Sequence, residues 1–392
     1  ELDKPMKSTI TYGTSDADKK TLEVPVEEGE KFKGESMHMY RARLTDLTPG
    51  TTYTYKVETE DGQTMDGHFR TLPENSNEIR FVVVSDSHRF ETATKVSDVI
   101  AQFDPDFILH TGDMVEGTGS QKDQFPYWFQ NVGSFLHNVP VIYNSGNHDY
   151  GAYFDEYVTK VQKEQYKSNK TGRNVAFDCG PVHFDMLDSN PWSLFELNST
   201  AGGGEADAAT KAVVNESLDW LKADLATDDA KKADFRVVTM HHPFEDDLTR
   251  KYVPSIVENG NVNIMFSGHT HLYSRYASAD PKRGADTLYV TQGDARIGDG
   301  KIDTGKPDQR LNDNYPNLLA TGKGDMLEVT VKDGLLTYKN LGLSSDGEKV
   351  FETVTLSKDG AKLAYSDISI TPDTVQSNGP VPVSAKVTNV GK

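Results

Sequence analysis

The chain has a single cysteine, Cys179, in 392 residues. No disulfide can form within it, and its redox compartment is left open. It also lacks any apolar run approaching the roughly 20 residues of a membrane-spanning helix, which argues against a helical membrane span. Basic residues are in deficit: 41 Lys and Arg stand against 60 Asp and Glu, a net charge of −19. Nucleic-acid affinity is built on neutralising phosphates with Lys and Arg, so DNA and RNA are not expected partners. The same field repels a phosphorylated small molecule unless strong local positive charge offsets it, and bound divalent ions are the natural source. An initiator methionine and a signal-peptide pattern are missing at Glu1. The sequence is therefore expected to be a piece of a longer protein, with its targeting information elsewhere.

What the sequence does have is five apolar runs that end on side chains of one chemical kind. Val139-Pro140-Val141-Ile142-Tyr143 leads into Gly146-Asn147-His148-Asp149, and Phe81 to Val84 into Asp86-Ser87-His88. Phe107 to Leu109 leads into Gly112-Asp113, Val237 to Met240 into His241-His242, and Val262 to Phe266 into Gly268-His269-Thr270-His271. Strands of an open sheet that end on one edge bring their following loops together, and that edge is where such folds bind ligands. Five loops thus deliver Asp, His and Asn to one place. Two divalent ions about 3.5–4 Å apart can polarise a phosphoryl oxygen, activate a water and stabilise the leaving oxygen. Carboxylate, imidazole and amide groups around a bridging carboxylate are the ligands such a pair needs.

Length alone suggests two or three domains at about 150 residues each. Residues 1–73 show short alternating runs, Ser8 to Tyr12, Tyr40 to Leu44, Thr52 to Val57 and His68 to Thr71, which predict a small β-sandwich. Pro49-Gly50 ahead of Tyr53-Thr54-Tyr55 predicts a tyrosine corner. Pro73-Glu74-Asn75-Ser76-Asn77 reads as a linker. From Ile79 the pattern becomes apolar strands alternating with helices near 91–103, 121–138, 153–166 and 205–225, the last with Val213, Leu218, Leu221 and Leu225 inward. Asp333-Gly334 predicts a hairpin, and Asp294 to Asn317 a long surface loop. Two sheets packed face to face and flanked by helices accommodate this second domain, 79–357. Residues 360–392 read as the opening of a truncated immunoglobulin-like domain of bacterial type.

Taken together, the five ordered motifs resemble those of the calcineurin-like metallophosphoesterases. The N-terminal segment resembles the fibronectin type III-like domain of purple acid phosphatases, here without its first strands. The resemblance covers roughly residues 8 to 357. It implies an α/β (α+β) fold, a four-layer α/β/β/α sandwich behind a small all-β domain. It implies one metal site from Asp86, His88, Asp113 and His271 and a second from Asn147, His241 and His269, with Asp113 shared. His148 is then the imidazole that contacts the phosphate together with Asn147 and protonates the leaving group, Asp149 orients His148, and His242 faces the substrate. Purple acid phosphatases carry a tyrosine where this chain has Glu116, and a glycine where it has His88. The iron-colouring tyrosinate is therefore absent, and two divalent ions, Mn²⁺, Zn²⁺ or Fe²⁺, are expected.

The resemblance implies a hydrolase acting on a small phosphorylated substrate, with phosphate monoesters ahead of diesters and nucleotides. A non-catalytic surface binding module is the rival reading. The expected location is extracellular or at the surface of a bacterial cell, held through flanking segments.

Overall fold

The structure is a computed structural model that describes residues 2, 4–26, 38–88, 93–116, 121–196, 206–277, 287–295, 320–321, 324–344, 347–359, 362–370 and 383–389. Its N-terminal part is all β. Strands β1 (Ser8–Gly13), β2 (Lys20–Val24), β3 (Thr52–Thr59) and β4 (Thr64–Arg70) form one antiparallel sheet in the order β2-β1-β3-β4. The tyrosine corner is present: the Thr48 amide donates to the Tyr53 hydroxyl at 2.9 Å. The strand expected over Tyr40 to Leu44 is not. Tyr40 makes only an isolated bridge with Val26. Arg41 and Arg43 reach across to Glu156 and Glu164 instead, so side-chain pairing replaces a ladder there.

Next come three parallel neighbours, β5 (Glu78–Val84), β6 (Phe107–His110) and β7 (Val141–Tyr143). They are followed by β8 (Lys167–Ser168), β9 (Val175–Cys179), β10 (Val182–Met186), β11 (Phe235–Thr239), β12 (Ile264–Ser267), β13 (Tyr273–Ala277), β14 (Leu288–Thr291) and β15 (Ala320–Thr321). These eight make a second sheet, ordered β15-β13-β14-β12-β11-β10-β9-β8. Finally β16 (Asp325–Lys332), β17 (Leu335–Ser344), β18 (Gly347–Ser357), β19 (Lys362–Ile370) and β20 (Val383–Asn389) join the first three, in the order β20-β19-β18-β17-β16-β5-β6-β7. The residues read as the start of a further domain thus supply two strands that extend this sheet, with β19 paired to β18.

Why the sheets stack is visible in β5. Successive side chains point to opposite faces. Ile79, Phe81 and Val83 enter a core shared with Phe184 of β10, Val237 of β11 and Phe266 of β12. Val82 and Val84 turn the other way, under helices α1 (Ala93–Phe103) and α2 (Gln121–Leu136), which contribute Val96, Ile100, Trp128 and Val132. On the far side, helix α3 (Ala208–Leu225) lays Val214, Leu218, Leu221 and Leu225 over Val238, Met240 and Met265. Strands covered on both faces favour apolar residues at every position, which is why β5, β6 and β12 run on without alternating. The result is a four-layer α/β/β/α sandwich. Val213 is 42% exposed and Val214 takes its expected inward place. The Asp333-Gly334 hairpin forms with φ of 51° and 75° at the two turn residues, whereas most of the loop expected over Asp294 to Asn317 lies outside the described residues.

Candidate metal centre

Both sheets present the C-terminal ends of parallel strands at one edge: β5, β6 and β7 in one, β10, β11, β12 and β14 in the other. The loops that follow β5, β6, β7, β11 and β12 carry the five motifs. The structure brings all of their expected ligands together. His271 Nε2 lies 3.3 Å from Asp86 Oδ1 and 3.1 Å from His88 Nε2. His241 Nε2 lies 3.3 Å from Asp113 Oδ2, 3.0 Å from Asn147 Oδ1 and 3.3 Å from His269 Nδ1. Three overlapping groups offer ligand atoms within 4.8 Å of one another: Asp86, His88 and His271; His88, Asp113 and His148; Asp113, His241 and His269.

The backbone that aims these side chains is unusual. Asp86, His88, Asp113, His269 and His271 all have left-handed φ, between 37° and 74°. For a non-glycine residue this costs on the order of 1–3 kcal/mol and persists only where the surroundings impose it. Here the loops impose it on one another. The Asp86 amide donates to Gly112 O at 2.9 Å and the His88 amide to Asp113 O at 3.2 Å. The His269 amide donates to Asp86 Oδ2 at 2.8 Å and the His148 amide to Asp113 Oδ1 at 2.9 Å. Gly146 is required by contact, because a Cβ there would collide with the Asp113 carboxylate and amide.

Asp149 does something other than orient His148. Its carboxylate is fully buried and accepts from the amides of Met114 at 2.9 Å, Val115 at 3.2 Å and Gly146 at 3.0 Å. Nδ1 of His148 is buried with no hydrogen-bond partner. Asp149 therefore ties the β6 and β7 loops together, and burial with the nearby Asp113 charge pushes its carboxyl up to about 7. His242 is buried, takes Ser189 Oγ at 2.7 Å on Nδ1, and packs its ring 4.6 Å from that of His269. Burial, then the charges of His241 and His269, hold His242 well below the usual imidazole range. His110 is a brace, bonded to Ser87 Oγ at 2.9 Å, which in turn accepts from Trp128 Nε1 at 2.8 Å.

The donor set fits a pair of cations. Asp86 Oδ1 is buried without a hydrogen-bond partner. Burial would raise Asp86, yet the neighbouring His271 and His241 imidazoles hold its carboxyl well below the carboxylate range. Burial would lower His241, yet the Asp113 charge lifts it to about 9. Two buried carboxylates surrounded by imidazole nitrogens are a place where positive charge is favoured.

Sequence reading missed two further strand ends at the same edge. After β10, Asn190 Nδ2 donates to Ser145 O at 3.2 Å and Gly146 O at 3.4 Å, bracing the Gly-Asn-His-Asp loop. After β14, Asp294 Oδ2 lies 3.8 Å from His271 Nδ1. Asp294 follows an apolar run as the other five motifs do, whereas β10 reads Val-His-Phe-Asp-Met, so that signal is broken ahead of Asn190.

The family profile described as calcineurin-like phosphoesterase matches residues 79–273, and that of the purple acid phosphatase N-terminal domain matches residues 2–71. The chain belongs to the calcineurin-like phosphoesterases. Within them its relatives are purple acid phosphatases. Purple acid phosphatase 21 of Arabidopsis thaliana is 25% identical over 325 residues, 73% of this chain and 68% of that protein. Purple acid phosphatase 15 of the same plant is 24% identical over 280 residues, 60% of this chain and 49% of that protein. The chain thus spans about half to two thirds of the length of these relatives. The purple acid phosphatase PPD1 of yellow lupin, Lupinus luteus, has the same fold, with a TM-score of 0.65 at 16% identity over 91% of this chain and 70% of that one. A dinuclear metal site goes with this family, and the clusters above are its candidates. Among the described residues no helix is long and apolar enough to cross a membrane.

Proposed function

We propose that the chain hydrolyses phosphate monoesters at a centre of two divalent ions, Mn²⁺, Zn²⁺ or Fe²⁺. Asp86, His88, Asp113 and His271 hold one ion, and Asp113, Asn147, His241 and His269 the other. The observation that carries this reading is the position of Asp113. One carboxylate oxygen, Oδ2, lies 3.3 Å from His241, 3.6 Å from His148 and 4.0 Å from His88, so it sits between the two halves of the cluster. Bound there, such ions supply Lewis-acid activation of a water and of a phosphoryl oxygen.

The chain's own residues do the rest. His148 stands beside Asp113 with its side chain 32% exposed, open to substrate, and carries the proton that the leaving oxygen takes. His242, held by Ser189, borders the phosphate position next to His269. Imidazole and carboxylate donors suit divalent first-row ions. The tyrosines nearest the motifs are engaged elsewhere: Tyr143 packs on Trp128 and His110, and Tyr150 lies under Arg173 at 4.2 Å. The purified protein is therefore expected to be colourless. The location that goes with this reading is extracellular or at a bacterial cell surface, which fractionation of the source cells tests.

The test is hydrolysis of matched aryl phosphate monoester and diester substrates with Mn²⁺, Zn²⁺, Fe²⁺ or Mg²⁺, alongside elemental analysis and a visible spectrum. Monoester turnover with two ions per chain and no intense visible band is expected. Faster diester turnover replaces the substrate assignment, no turnover by the fully loaded protein favours a binding module, and a tyrosinate-to-iron band sinks the metal assignment.

A further inference from the structure

A second cluster of ligating side chains lies away from this centre, on the outer face of the β8–β15 sheet. Val182, Phe184 and Met186 of β10 point into the inter-sheet core, so His183 and Asp185 point the other way, beneath α3. There Asp224 of the last turn of α3 meets them. His183 Nε2 lies 3.1 Å from Asp224 Oδ2 and 3.5 Å from Asp185 Oδ2. The ligand atoms of all three residues lie within 4.8 Å of one another, and all three residues are buried. In the β10–β11 register His183 pairs with Arg236, three residues before β11 ends. That is roughly 10 Å back along the sheet from the edge that carries His241.

Three features distinguish this cluster from a surface patch of acids. Asp185 is fully buried, and neither of its carboxylate oxygens has a hydrogen-bond partner. A buried carboxylate without a hydrogen bond is destabilising, and a cation bound to it removes that cost. His183 is also oriented as metal-binding histidines are: Asp178 Oδ1 sits 2.7 Å from Nδ1, which turns Nε2 toward the two buried carboxylates. Asp224 stands at the C-terminal end of an 18-residue helix, where the helix dipole favours a cation and disfavours a carboxylate. Each feature places negative potential where a positive ion would remove the cost. Lys167, paired with Asp224 and 57% exposed, and Asp178, 54% exposed, give the cluster a route to solvent.

We propose that His183 Nε2, Asp185 and Asp224 form a third, mononuclear site for a divalent first-row cation such as Zn²⁺ or Mn²⁺, with Asp178 holding the histidine in place. Mixed nitrogen and carboxylate donors suit these ions better than Ca²⁺ or Mg²⁺, which prefer oxygen alone. Without a cation the cluster balances its charge by protonation. Although burial opposes it, the carboxylates of Asp178, Asp185 and Asp224 around its ring lift His183 to about 11. Burial lifts Asp185 to about 7. A bound cation displaces such protons, so loading releases them.

The test uses the full chain, stripped with chelator, reloaded with Zn²⁺, desalted and counted by elemental analysis. The wild type is expected to hold one ion per chain more than Asp185→Asn, with rates of phosphate ester hydrolysis within about twofold of each other. Failure of the dinuclear reading lowers both counts and leaves the difference of one intact. Equal counts overturn the proposal and leave the cluster as a proton-sharing ion network. Should Asp185→Asn fail to fold, anomalous scattering at the zinc edge from wild-type crystals decides the matter. A peak among His183, Asp185 and Asp224 supports the site, and none there overturns it.

Discussion

His148 follows Asn147 in the chain, yet the two side chains are turned to different neighbours. The Asn147 oxygen lies 3.0 Å from His241 Nε2, in the half of the cluster formed by Asp113, His241 and His269. His148 Nε2 lies 3.6 Å from Asp113 in a group that also includes His88, so proximity alone would allow it to be a ligand. Kinetics and metal content separate the two roles. As a proton donor, His148→Ala is expected to lower kcat by about 10²-fold or more while ions per chain stay the same. As a ligand, its loss would remove an ion. Asp113 is the opposite case, because both halves of the cluster face its carboxylate. Asp113→Asn removes a full negative charge from two cations at once, so titration with Mn²⁺ should fill one ion position at much weaker affinity than the other. Two ions bound with native affinity would end its bridging assignment.

At the scale of the element, the site is a set of strand ends clamped by one another. Asp149 takes three amides from two loops, and Gly146 lets the β7 loop lie against the Asp113 carboxylate. Gly146→Ala should therefore cost about 1–3 kcal/mol from overpacking and weaken metal binding by tenfold or more. Chemical denaturation and metal titration of the folded variant check the two effects separately, and native metal affinity would show that the clamp is looser than the contacts indicate. Much of this edge was legible in the sequence, since a buried parallel strand declares itself by an unbroken apolar run and its loop by the polar residues that follow. Val237 to Met240 and then His241-His242 is such a case. What stayed hidden depends on who faces whom. The resemblance makes Asp149 the orienting partner of His148, whereas the fold sends its carboxylate to the amides of Met114 and Val115 in the β6 loop and of Gly146 in its own. Asp294 obeys the same pattern but matches no metal-binding motif, and Asp188 to Asn190 follow a strand whose apolar run is interrupted by His183 and Asp185. The strand expected at Tyr40 to Leu44 failed for a related reason: alternation cannot reveal that Arg41 and Arg43 pair with carboxylates 115 and 121 residues further along.

At the scale of the whole molecule, the N-terminal sheet meets the sandwich through polar contacts. The Tyr55 hydroxyl donates to His137 O at 2.9 Å, the His68 amide donates to Asn138 Oδ1 at 3.1 Å, and Arg70 pairs with Asp106 at 2.8 Å. Arg41 pairs with Glu156 at 3.0 Å, and Arg43 with Glu164. Interfaces of this character tolerate separation better than apolar ones, and none of the metal-site motifs comes from residues 1–73. A chain beginning at Asn77 is therefore expected to fold, bind its ions and keep phosphate ester hydrolysis within about tenfold of the full chain. Its thermal midpoint should fall, because Asp106 and Glu156 are buried and lose their arginines. Where the cut falls matters, since Leu72 packs against the inter-sheet core and Pro73 O accepts from the Gly180 amide at 2.8 Å. A chain beginning at Thr71 keeps both contacts and should unfold at a higher temperature than one beginning at Asn77. Paired melting curves with ion counts decide between the possibilities: an insoluble or metal-free product from both cuts would mean that the N-terminal sheet is a structural part of the sandwich rather than a separable neighbour.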